Sequence, residues 1–543
     1  MTKRKILIVG GGSAGWMTAA YLNGALNRRG EDHRVDIELL ESPDTPRISV
    51  GEATIPSMRH LLAVVGVNEL DFMRATEATF KQSIKYVNWV HNDNSFYHHP
   101  FSSLRAQPID YAGSDWLRSD RSVPFMETCS IQPLVCEWGR APQMFGEWRM
   151  GARLNYAYQM NAQKFADYLR DFSNARGVRH IMANMQQVEK HANGDIRAVI
   201  TDQGETLGAD LFIDCTGFRS LLLEQEMGVG FEDFGKYLLC DRAVTMHVPY
   251  ETHYPGMVRP YTTATALSNG WIWDIPMQSR RSIGYVHSSA FIDKEAAEKE
   301  MRAYQGNNTE NLPCRFIPFK AGRRHQQWQG NCVAIGLSGG FIEPLESTGL
   351  YLSDLGAVLL AEHFPWHQDD MKPLANRYNR LMTNRYYEIL DFINMHYCMT
   401  KRTDTEFWRT VQQREHITDR LLAKLDFWRS KPPSMHDFQD QFFPGMPTAA
   451  AAGVDSGDTR PPIDTGGLWN HESYECILYG MEFLQQECDK WFGTGRPPTR
   501  VNPAILQRLQ MARQMLPPHE LWLQRVLGMA EYRPAGTPAG WVV

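Results

Sequence analysis

The chain has 543 residues, 43% apolar and 22% charged, with a formal net charge of −6 and a pI near 6.3. That size supports a large core in two or three lobes. The acidic balance leaves no bulk basic face for a phosphate backbone, so nucleic-acid binding is not expected.

No stretch approaches 18 consecutive apolar residues, so no membrane span is expected. The N-terminal apolar run, Ile6 to Val9, is too short for a signal peptide and leads straight into glycines, which points to the cytoplasm. The nine cysteines are odd in number and contain no Cys-x-x-Cys pair, and the eighteen histidines show no His-Glu-x-x-His. Neither a disulfide framework nor a metal site is expected.

In chain order, Lys5 to Val9 reads as a buried strand, Trp16 to Asn27 as a helix and Val35 to Leu40 as a second strand. Further strands, Ala209 to Ile213 and Cys332 to Ile335, break into Asp214-Cys215-Thr216-Gly217 and Gly336-Leu337-Ser338-Gly339-Gly340. Strands ending in small residues suit the carboxyl edge of an α/β nucleotide-binding sheet. Alternating segments near 244–248, 261–266 and 282–287 predict an added antiparallel sheet. From about 353 the pattern turns helical, through Leu355 to His363, Asn376 to His396 and Asp419 to Trp428, and it resumes at Tyr474. Pro444 to Gly467 is rich in Pro, Gly, Ala and Asp and reads as a long surface loop. The expected organisation is a module at 1–352 and a mostly helical lobe at 353–543.

Gly10-Gly11-Gly12-Ser13-Ala14-Gly15 fits G-x-G-x-x-G between a strand and a helix. Its glycines permit a tight turn and let backbone N–H groups approach a pyrophosphate at the helix N-terminus. Glu41, ending the second strand, is placed to accept from a ribose diol. Arg47 and Gly51-Glu52-Ala53-Thr54-Ile55-Pro56 follow as a segment that could run along a flavin. With no second glycine fingerprint for a nicotinamide nucleotide, FAD is the expected cofactor and a separate protein its source of electrons.

Two longer motifs are specific. Gly270-Trp271-Ile272-Trp273-Asp274-Ile275-Pro276 matches G-W-x-W-x-I-P, and Phe341-Ile342-Glu343-Pro344-Leu345-Glu346-Ser347-Thr348-Gly349 matches F-x-x-P-x-x-S-x-G. Together with Phe80-Lys81, Ile84, Tyr86 and Asn88-Trp89, they make the chain resemble flavin-dependent halogenases of the tryptophan halogenase family, from Ile6 to about Trp428. The resemblance implies a glutathione-reductase-type, Rossmann-like FAD sheet with an added antiparallel substrate sheet and a helical C-terminal lobe. It also implies reduced FAD delivered by an NAD(P)H-dependent flavin reductase, chloride or bromide as co-substrate, and a small aromatic substrate. Oligomeric state stays open, a homodimer included.

By similarity, Lys81 receives the oxidised halogen, Glu346 stabilises the cationic ring and takes its proton, and the N–H groups of Thr348 and Gly349 hold the halide. Flavin contacts carry over to Gly11 through Ala14, Ala53, Val188, Leu337 and Leu350. Each residue also has a plainer reading: the tryptophans as core, Lys81 as a surface lysine, Glu346 as a helix cap. An aromatic hydroxylase or a non-catalytic flavin protein would share the fold without the lysine–glutamate pair and halide turn.

For the substrate wall, Phe96-Tyr97-His98 followed by Phe101 resembles the family's His and Phe pair with one extra residue. Trp469 matches a tryptophan of the C-terminal lobe. The tyrosine pair and glutamate that hold an amino-acid substrate have no counterpart in the sequence from Gly457 to Gly467, where Asp464 is the nearest substitute. A zwitterion would lose its charge-assisted hydrogen bonds there. The expected substrate is therefore an indole, or a larger indole-bearing molecule, rather than free tryptophan.

Overall fold

The computed structural model of the chain describes residues 3–27, 34–47, 50–103, 112–151, 153–306, 308–440, 468–485, 501 and 503–533. The predicted loop at 444–467, including Asp464, lies outside them.

The chain opens with a continuous apolar strand, Arg4–Val9, whose last four residues are buried on both faces, as a central parallel strand requires. It pairs in parallel with Val35–Glu41 on one side and Leu211–Asp214 on the other. Arg179–Met182, Cys332–Ala334 and the short return strand Trp328–Gln329 complete a six-stranded sheet. The helix Ser13–Leu26 is apolar on nearly all sides and buried, packed under this sheet. Its start precedes the predicted Trp16 because the glycine turn already has helical geometry at Ser13.

The alternating segments form a seven-stranded sheet. Arg242–Pro249, Arg280–His287, Gly270–Pro276 and Thr262–Ala266 pair in antiparallel order, with Cys314–Pro318 on one edge. At the other edge Thr262–Ala266 pairs in parallel with Ser83–Val87, which pairs antiparallel with Phe96–Pro100. Local alternation could not reveal that parallel junction, because the pairing spans nearly two hundred residues. It carries the segment of Lys81 and Tyr86 onto the sheet bearing Trp271 and Trp273.

Behind this lies Met371–Cys398, a 28-residue helix buried over most of its second half. Glu388, Phe392 and His396 recur every four residues on it and so share one face. Asp419–Trp428 and His471–Gly480 pack nearby. Buried residues of both sheets and of the helical lobe belong to one hydrophobic cluster.

Crowding requires glycine at positions 10 and 15, and open space surrounds position 12. Gly10 has φ +120°, and a Cβ there would lie 2.2 Å from the Cys215 carbonyl oxygen. A Cβ at Gly15 would meet the Gly10 carbonyl oxygen at 1.9 Å. At Gly12 a Cβ meets nothing within 4 Å, since that position faces open space. Gly10→Ala is therefore expected to destabilise the fold by about 1–3 kcal/mol, measured by urea unfolding. Gly12→Ala should leave stability within about 0.5 kcal/mol yet weaken FAD binding, measured by fluorescence titration.

Candidate active site

At the carboxyl edge of the parallel sheet lies a cavity of about 850 Å³. Gly10 through Ala14, Glu41, Ala53, Cys215, Thr216, Gly217, Leu337 and Leu350 all line it. At one end the N-terminus of Ser13–Leu26 opens with Gly12 as its cap, no capping side chain and no acid in the first turn. Its first N–H groups have no intrahelical acceptor, and the space a Cβ would fill at Gly12 suits a phosphate. The residues present thus fit FAD.

Glu41 stands where the sequence put it, but its carboxylate already accepts from Arg47, at 2.6 and 3.1 Å, and lies 2.9 Å from His180 Nε2. Val188 does not line the cavity. Its side chain packs into the small core beneath the sheet, and Ala183, Asn184 and Met185 form that part of the wall instead. The strand Met185–Lys190 leaves the cavity as it enters a separate three-stranded sheet.

Trp271 and Trp273, on one face of their strand, wall the cavity together with Thr262, Ala264 and Val286. Behind them Trp271 Nε1 donates to Glu343 at 3.3 Å and Tyr397 donates to the same oxygen at 2.5 Å. Burial pushes the Glu343 carboxyl up to about 7, against the lowering effect of those two donors.

The second signature folds into a tight turn. Pro344–Glu346 is a single 3₁₀ turn, Ser347 takes left-handed backbone at φ 61°, and the helix Gly349–Glu362 follows with Thr348 as its cap. A non-glycine residue in that conformation costs energy. Here it aims the Ser347 hydroxyl at Lys81, which donates to Ser347 Oγ at 2.7 Å and to the Thr54 carbonyl at 3.0 Å. Ser347 and Gly349 also line the dinucleotide cavity, and a Cβ on Gly349 would meet nothing within 4 Å. Thr348 is buried behind them. An uncapped helix start facing that space can hold a small anion.

Lys81 is 0% exposed, which overturns the plainer reading of a surface lysine. Burial pulls its ammonium down to about 7, with Glu346 acting in the opposite sense. Its Nζ lies 5.2 Å from the centre of the Phe101 ring.

Glu346 is also buried. Tyr86 donates to Oε1 at 2.6 Å, His99 Nδ1 lies 3.1 Å from both oxygens, and His396 Nε2 is 3.2 Å from Oε1. Burial alone would raise its carboxyl, but His99 and His396 outweigh that and hold it well below the usual carboxylate range.

The histidine in the predicted pocket wall needs correcting by one residue. Successive residues of Phe96–Pro100 face opposite sides, and it is His99 that meets Glu346. His98 points the other way, 2.9 Å from Ser83 Oγ and 3.0 Å from Glu137, which also binds Lys85. The extra residue noted in the sequence is this shift of strand parity.

Trp469 is buried and stacks on Phe392, with ring centres 3.9 Å apart and planes 8° from parallel. Phe392 in turn contacts the rings of His99 and His396. Nothing in the local sequence marks His99, His396, Phe392 and Ser347 as neighbours of Lys81, Glu346 or Trp469. The four-residue spacing of Glu388, Phe392 and His396 was visible, but which side of that helix faces the site was not.

A dinucleotide cavity that shares a wall with a buried lysine and a clamped carboxylate defines a class, the flavin-dependent halogenases. The tryptophan halogenase family model matches residues 5–494. Tryptophan 7-halogenase RebH of Lentzea aerocolonigenes is 35% identical over 501 residues, 88% of this chain and 89% of RebH. The crystal structure of a tryptophan halogenase from Shewanella frigidimarina NCIMB 400 superposes with TM-score 0.85 at 33% identity, covering 97% of this chain and 98% of that one. BrvH, a flavin-dependent halogenase from Brevundimonas sp. BAL3, gives 0.79 at 29% identity, covering 97% and 99%. The chain belongs to the tryptophan halogenase family. No helix among the described residues is long and apolar enough to cross a membrane, and no group of metal-binding side chains occurs among them.

Because Lys81 holds its proton less tightly when buried, the unfolded chain binds more protons than the folded one between about pH 7 and the free-lysine value. Each pH unit of that gap is worth about 1.4 kcal/mol. Lys81→Met is expected to stabilise the protein most below pH 7, with the gain shrinking as pH rises toward 10. Urea unfolding at about pH 6.5, 8 and 9.5 measures this; a gain that grows with pH would contradict it.

Proposed function

We propose that this enzyme uses reduced FAD, oxygen and chloride or bromide to halogenate an indole without a free amino-acid group, or a larger indole-bearing molecule. One observation carries the reading: Ser347 lines the FAD cavity while its hydroxyl holds buried Lys81, beside the clamped carboxylate of Glu346.

FAD, when bound and reduced by a separate NAD(P)H-dependent flavin reductase, supplies with oxygen the oxidising equivalent that turns halide into hypohalous acid. The N–H groups of Thr348 and Gly349 hold the halide at the helix start. Lys81, poised between ammonium and amine, accepts the electrophilic halogen as a haloamine or donates a hydrogen bond to hypohalous acid. Glu346 lies ready to stabilise the cationic ring and remove its proton. His99, Phe101 and Trp469 supply aromatic wall, and Trp271 and Trp273 keep bulk beside the flavin.

Two observations support a substrate other than free tryptophan. The sequence between Gly457 and Gly467 lacks tyrosine and glutamate. Near Trp469, the carboxylate of Glu388 is committed to the N–H groups of Leu468 and Trp469 and to Arg385, so it is not free to hold an amine.

The test is to supply FAD, a flavin reductase, NADH, oxygen and bromide, and to compare indole with tryptophan by mass spectrometry. Bromoindole that disappears in Lys81→Ala, with little bromotryptophan, is expected. Tight, regioselective bromination of tryptophan would overturn the substrate, and hydroxylated product in place of halogenated would overturn the activity. Glu346→Gln should lower turnover about 10²–10⁴-fold without changing FAD affinity.

A further inference from the structure

Trp271 and Trp273 stand side by side on the cavity wall but are held there differently. Both belong to the strand Gly270–Pro276 and project from one face. Trp271 is pinned by a polar contact, its Nε1 donating to Glu343 at 3.3 Å, and its partner on the neighbouring strand is Val286. Trp273 has no such pin. Its Nε1 is buried without a hydrogen-bond partner among the described residues, and its partner across the strand is Gly284. Packing alone therefore fixes that indole.

A Cβ built on Gly284 would lie 2.1 Å from Cζ2 of Trp273 and 2.4 Å from Cε2 and Cη2. The six-membered part of the indole thus occupies the place of a side chain at 284. Gly284 lies inside Arg280–His287, in regular strand with no positive φ. Its backbone makes no demand for glycine, and a glycine inside a strand weakens it. What excludes a side chain there is the tryptophan. Across the sheet the row reads Ala264, Trp273, Gly284, Thr245, one large ring among small neighbours. Lifted by a Cβ, the indole would have the sheet below it and Trp271 beside it, with 6.4 Å between ring centres. The open volume against it is the dinucleotide cavity, which Trp273 lines together with Ala264, Trp271 and Val286.

We infer that Gly284 is a positioning residue for the cofactor: it lets Trp273 sink into the sheet and so sets the clearance of the slot that receives the flavin. Gly284 does not itself line the cavity and acts through the indole. The inference rests on the reading of FAD as the occupant of that cavity. It gives a residue outside both signature motifs control over the wall that one of them builds.

FAD affinity is measured by fluorescence titration of the wild type, Gly284→Ala, Trp273→Leu and the double variant. Gly284→Ala alone is expected to weaken FAD binding about tenfold, the scale of one overpacked contact. With Trp273→Leu already in place, the same change should alter affinity less than about twofold, because the atoms it strikes are gone. A general weakening of the sheet would be felt alike in both backgrounds, so equal losses would overturn the inference, as would unaltered affinity in Gly284→Ala. Should Gly284→Ala fail to fold, the wild type labelled with fluorotryptophan decides. The ¹⁹F signal that Trp273→Leu removes should shift as FAD is added, and a signal that FAD leaves unmoved would overturn the inference. A wild type that binds no FAD would overturn the cofactor reading and the inference with it. Tight FAD binding that is indifferent to Gly284→Ala would leave the cofactor reading standing and remove the inference alone.

Discussion

Removing a lysine from water is the constraint around which this site is built. An ammonium group in a low-dielectric interior is unstable unless a counter-charge and hydrogen-bond acceptors stand beside it. Lys81 has the Thr54 carbonyl and the Ser347 hydroxyl as partners and Glu346 as the nearby anion. Those partners come from the segment before it, from the turn after a distant 3₁₀ helix, and from a carboxylate that is itself held by Tyr86, His99 and His396. The left-handed backbone of Ser347 is tolerated because it completes this set.

The same turn joins two functions in one short stretch of chain. On one side, Ser347 and Gly349 face the dinucleotide cavity; on the other, Glu346 and the Ser347 hydroxyl face the lysine. Under the proposed function a reagent formed beside the cofactor would arise next to the turn that carries Ser347, and the tryptophans of the adjoining sheet wall that cavity. The parallel sheet supplies the cofactor cradle by geometry alone, since its strands end together and its first helix begins there uncapped. The long helix closes the far side, with His396 on the carboxylate and Phe392 stacked on Trp469.

Much of this was legible in the residues themselves. The glycine fingerprint has physical content at Gly10, Gly12 and Gly15, and the predicted strands and helices fall within a few residues of those observed. Lys81 and Glu346 stood out through their motifs rather than through their chemistry, because a lone lysine and a lone glutamate carry no mark of burial. His98 and His99 show the limit. Adjacent in sequence, they differ only in which face of a strand they occupy, and one joins Glu346 while the other joins Glu137. Val188 shows a related limit, since the chain turns away from the cavity three residues before it.

Residue pattern alone identifies the dinucleotide fold, the family and the two side chains proposed here to react. Local patterns carry that information, because hydrophobic period, glycine placement and motif spacing act over a few residues. The company those side chains keep is set by tertiary contacts. The parallel pairing of Ser83–Val87 with Thr262–Ala266, the parity of Phe96–Pro100 and the rotation of Met371–Cys398 are long-range choices made by core packing. They bring Tyr86, His99 and His396 to one carboxylate from three parts of the chain, and no local pattern encodes that meeting.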